Sequence, residues 1–111
     1  MSKDGPGRWV DKTAFVTPLL PLGLKVDPVL AALLHCMAFL ELSGDDTVDP
    51  DSALEVMESV AGYLQRLSAA EIGVVRKQLT AVSAYAREQG APDTFITFVD
   101  GFLEACGLGD I

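Results

Sequence analysis

The stretch Val26-Asp27-Pro28-Val29-Leu30-Ala31-Ala32-Leu33-Leu34-His35-Cys36-Met37-Ala38-Phe39-Leu40-Glu41-Leu42-Ser43-Gly44 decides the fold class. An aspartate side chain accepts from free N–H groups of a first helical turn, and a proline just after it needs no donor and already has helical φ. Asp27-Pro28 therefore predicts a helix from residue 28 to about residue 42, with Ser43-Gly44 as its stop. Its apolar residues occupy most of the circumference, so this helix is expected to be central and the most buried.

The same reading extends along the chain. Asp49-Pro50-Asp51 repeats the start and opens a helix over about 50–67, with Leu54, Met57, Val60, Ala61, Leu64 and Leu67 as its apolar stripe. Ser68-Ala69-Ala70-Glu71 is a capping-box pattern opening a helix over about 69–89, closed by Gly90 and Pro92. Phe95, Ile96, Phe98, Val99, Phe102 and Leu103 form the face of a last helix over about 93–106. Gly101 inside it carries a local penalty of about 1 kcal/mol and is expected to permit close helix approach. Towards the N-terminus, Pro18 and Pro21 exclude a continuous helix, so residues 14–26 read as an extended, partly buried strap. Residues 1–13, with Trp9 as the large aromatic, read as a loose arm. The expectation is an all-α, single helical domain over 14–111: a four-helix bundle or orthogonal helical array with an extended N-terminal strap.

Charge is distributed unevenly. Sixteen acids face eight bases, a net charge of −8. Between Val26 and Gln65 there is no Lys or Arg, while Asp27, Glu41, Asp45, Asp46, Asp49, Asp51, Glu55 and Glu58 fall in that window, so these eight account for the whole net charge. Such a field repels phosphate backbones and anionic lipid, and speeds encounter with a basic protein. Nucleic acid and membrane are therefore excluded as partners, and another protein with a basic surface is expected. Asp45, Asp46, Asp49, Asp51, Glu55 and Glu58 are the candidate partner-binding residues. The opposing reading is a solvated face that aids solubility.

Catalytic signals are missing. The lone histidine, His35, neighbours Cys36, but adjacent helical positions point about 100° apart and form no nucleophile–base pair. GxSxG, P-loop, GxGxxG and HExxH patterns do not occur. Laid on a calcium loop from Asp45, the sequence puts Pro50 where glycine is needed and Val56 where a bidentate glutamate is needed. No enzyme activity, metal or cofactor is expected. Cys36 and Cys106 are too few for a disulfide framework and read as reduced, buried small hydrophobes. The start lacks the apolar region of a signal peptide, and no window supplies the roughly 20 unbroken apolar residues a bilayer span needs. A cytoplasmic protein is the expectation.

An acidic, helical chain with this base-free window over 26–65 and capped helices at Asp27-Pro28, Asp49-Pro50 and Ser68-Ala69-Ala70-Glu71 resembles the small immunity proteins of bacterial toxin systems. The class has no shared motif, so no residue role is carried over, and the apolar N-terminal third departs from it. The resemblance implies a protein that binds its cognate toxin and blocks the active site, suited to toxins with basic, nucleotide- or nucleic-acid-acting sites. The alternative is a homodimeric structural or adaptor domain. The mean hydropathy of +0.32 and the apolar strap favour it, with Trp9, Phe15, Leu19, Leu20 and Leu22 as dimer or strap contacts.

Overall fold

A computed structural model describes residues 14–109. Among them the chain is all-α: α1 (Pro28–Leu42), α2 (Pro50–Leu64), α3 (Ala69–Glu88), α4 (Asp93–Asp100) and α5 (Phe102–Ala105), preceded by a 3-10 turn over Leu22–Leu24. Each of the first three helices starts where its cap residues require. Asp27 Oδ2 accepts from Leu30 N at 3.0 Å, and Asp49 Oδ2 from Ser52 N at 2.9 Å. Ser68 and Glu71 close a reciprocal box, Ser68 N donating to Glu71 Oε1 at 2.8 Å and Glu71 N to Ser68 Oγ at 3.1 Å.

The ends differ from expectation in two places. α2 stops at Leu64, with Gln65 as its C-cap, because Arg66 and Leu67 turn back through i→i−3 bonds. The last helix is broken at Gly101 (φ −100°, ψ 6°) into α4 and α5. Gly101 N still donates to Thr97 O and Ala105 N to Gly101 O, so the break is a local bend that i→i−4 bonds meet from both sides. A Cβ at Gly101 would meet only Thr97 O, at 3.4 Å, so a close helix approach is not what places glycine there.

The core is a phenylalanine spine. Phe15 stacks on Phe95 (centroids 5.9 Å apart, planes at 14°), Phe95 meets Phe98 at 6.1 Å, and Phe98 meets Phe102 edge-on at 5.7 Å. All four are buried, together with Leu34, Met37 and Ala38 of α1 and Ile72, Val82 and Ala86 of α3. The α3–α4 pair is the most extensive packing, and α1 packs on both α2 and α4. α1 is therefore not buried all round, as its composition suggested. It buries Leu30, Leu34, Met37 and Ala38 and exposes Val29, Ala32 and Cys36. A helix apolar on every side carries no signal for which side will be covered.

The N-terminal segment is half anchored. Phe15 N donates to Ser43 Oγ at 2.9 Å, and Asp27 N donates to Gln78 Oε1 at 2.7 Å. Phe15 and Thr17 are buried, and Leu20 is half-buried against the core. Between the anchors the chain turns outward after Pro21, with Lys25 in the left-handed region (φ 60°) closing the 3-10 turn. Leu19 (90 % exposed) and Leu22 (99 %) point to solvent rather than across the helices. Trp9 lies outside the described residues.

Candidate functional site: an acidic-rimmed groove between α1, α2 and α4–α5

α2 is the least covered helix. Only Ala53 of it is buried, and Leu54 is 56 % exposed. Its apolar stripe rests on α1 along one flank. On the other flank an open groove of about 460 Å³ separates it from α4 and α5. Met37 and Glu41 of α1, Leu54, Met57, Glu58 and Ala61 of α2, and Phe98, Phe102 and Cys106 line it. The walls are mostly apolar. Among the described residues the charged lining is Glu41, Glu58 and Asp93, one from each of three helices, with no Lys or Arg.

One end of the groove is tied shut. Gln65 Nε2, at the C-terminus of α2, donates to the Cys106 carbonyl at 2.9 Å. That carbonyl belongs to the last turn of α5, where Leu108 N returns to Leu103 O and Gly107 adopts φ +82°. A Cβ on Gly107 would lie 3.0 Å from Gln65 Nε2, so glycine serves both the left-handed turn and the tether.

Local environment shifts two groups here in the same direction. Partial burial beside the groove raises the Glu41 carboxyl above the usual carboxylate range, although the residue as a whole is exposed. Cys106, buried, has its thiol pushed up by burial first and by the Glu41 charge second. It is a packed hydrophobe, not a nucleophile. Cys36 departs from the expected burial and is an exposed free thiol on the open side of α1.

The six sequence-predicted contact carboxylates do not form one cluster in the groove. Asp45 and Asp46 are exposed in the α1–α2 turn, held by Thr47 N and Val48 N donating to Gly44 O. Asp49 is a cap, and hydrogen bonds from the Ser52 hydroxyl and backbone N–H hold its carboxyl below the usual range. Asp51 and Glu55 are exposed along α2, and of the six Glu58 alone lines the groove. Glu41 falls in the acidic window of the sequence but outside the six candidate contact residues, and Asp93 lies outside that window. No spacing connects Glu41, Glu58 and Asp93; only the relative placement of three helices does. All eight carboxylates of the 26–65 window are exposed, and none forms an ion pair with a described residue.

A second, separate crevice of about 490 Å³ lies between residues 17–22 and α1. His35 and Cys36 both line it, but most of the rest of its lining is apolar. Among the described residues no three His, Cys, Asp or Glu side chains converge, and no helix is long and apolar enough to cross a membrane. Compared with protein-family models, with curated proteins and with solved structures, the chain matches none.

Proposed function

We propose that the protein is a protein-binding inhibitor of the immunity type, acting in the bacterial cytoplasm without catalytic activity of its own. Its partner is a basic protein, such as a toxin or an enzyme acting on nucleotides or nucleic acid, neutralised through the acidic α1–α2 side. The observation that carries this reading is the exposure of all eight carboxylates of residues 26–65 without an ion-pair partner among the described residues. Like charges with no opposite partner among the described residues oppose the compact state and gain most from a partner of opposite sign. The test is capture of partners by the tagged protein from its native lysate at low and then high salt. A stoichiometric basic protein released as salt rises supports the reading; no such protein at low salt refutes it.

A homodimeric adaptor is the second reading, favoured by a different surface. Leu19 (90 % exposed), Leu22 (99 %) and Val29 (76 %) leave large apolar side chains in water around the outward turn. Mass in solution separates the two. A salt-insensitive dimer that Leu19→Ser with Leu22→Ser dissociates favours the adaptor; a monomer excludes it.

A further inference from the structure

We infer that the α1/α2/α4–α5 groove receives a cationic amphipathic helix of the partner, apolar face inward and Lys or Arg against the rim; this rests on the protein-binding reading above. The stripe of α2 is unfinished. Leu54, Met57 and Ala61 recur at helical spacing, yet only Ala53 of that helix is buried. A further helix laid along this flank covers the stripe much as α1 covers its other side.

The chemistry of the lining selects the occupant. A neutral apolar ligand would leave Glu41, Glu58 and Asp93 with no counter-charge, and an acidic segment would be repelled by all three. An added β-strand needs a sheet edge, and the described residues form none. A polyproline segment needs open aromatic faces, whereas Phe98 and Phe102 are 6 % and 3 % exposed. A basic amphipathic helix meets both demands, with apolar anchors at i, i+3 and i+4 and cations flanking them. Met37 and Met57 give the floor side chains that adapt to differing anchors.

The two groove methionines also supply the readout, since the chain has three methionines in all. The full chain with ¹³C-methyl methionine is titrated, at physiological ionic strength, with a synthetic Leu/Lys amphipathic helix and with its Leu/Glu counterpart. The expected result is a saturable shift of the Met57 methyl with the Leu/Lys peptide and none with the Leu/Glu peptide. Glu41→Gln with Glu58→Gln weakens that binding roughly tenfold, whereas Asp45→Asn with Asp46→Asn in the distant turn changes it less than about twofold. Leu54→Glu, at a position already in water, abolishes it without unfolding the chain. Equal shifts with both peptides, equal effects of the two carboxamide pairs, or no shift at all overturns the inference. So does a Met57 shift on dilution without peptide, which assigns the groove to a second copy. A basic partner still captured from lysate after such a failure leaves the inhibitor reading standing and moves its contact elsewhere.

Discussion

The side-chain amide of Gln65 donates to the backbone carbonyl of Cys106 across 2.9 Å, joining the end of α2 to the end of α5. It holds the C-terminal end of α2 to the rest of the bundle, while Ala53, the buried residue of that helix, packs near its other end. The groove is the space left open beyond this tether.

Removing the tether is expected to destabilise modestly and to loosen α2. Gln65→Ala loses a part-buried hydrogen bond and is predicted to cost about 1 kcal/mol in denaturant unfolding. Gly107→Ala forces a Cβ into the left-handed region and against the same amide, and is predicted to cost about 1–2 kcal/mol. The double mutant should cost less than the sum, since the second clash vanishes with the amide.

The phenylalanine spine predicts a steeper loss. Phe95→Ala, between Phe15 and Phe98 and 1 % exposed, should cost about 3–5 kcal/mol by thermal or urea unfolding. Leu22→Ala, at 99 % exposure, should stay within about 0.5 kcal/mol of wild type. A large effect at Leu22 would mean that the outward turn is covered in solution.

Helix starts were fully legible. Asp27-Pro28, Asp49-Pro50 and Ser68…Glu71 are local chemistry, and the first residues of α1, α2 and α3 fall where those caps require. Ser68→Ala should therefore cost about 1 kcal/mol through loss of one half of the box. The bend at Gly101 was less legible, because a single glycine is tolerated within many helices. Which side of α1 is covered, and that Leu19 and Leu22 face water, could not be read at all. Runs of Leu, Val and Ala have no polar face to orient them. The groove was illegible for a related reason: Glu41, Glu58 and Asp93 line one groove through helix placement, not through spacing.

Acid titration should show two opposed contributions. Burial raises the Glu41 carboxyl in the folded state, so the folded chain holds that proton more tightly than the unfolded one, and this contribution to stability is lost as pH rises through its titration. Glu41→Gln is thus predicted to stabilise at neutral pH, with the gain fading as pH falls through the raised titration of Glu41 and gone by about pH 4. The Asp49 carboxyl is lowered by its Ser52 hydrogen bonds, so its contribution is present at neutral pH and lost as pH falls. Asp49→Asn should accordingly destabilise at neutral pH and less in acid. Urea midpoints of both variants from pH 3 to 7 check the signs.

The two thiols should separate cleanly. Cys36, exposed, is expected to react with a thiol reagent in the native protein, and Cys106 only at the rate of opening, being buried with its ionisation suppressed. Mass spectrometry after brief alkylation gives the order; simultaneous modification would contradict the packing around α5.

Recognition of a basic protein through the acidic α1–α2 side is best checked by the association rate of the captured partner as ionic strength is raised. The rate should fall steeply with salt for the wild type, and show a lower, flatter dependence after Glu41→Lys with Glu58→Lys. A rate indifferent to salt, or unchanged by reversing those two charges, would contradict it.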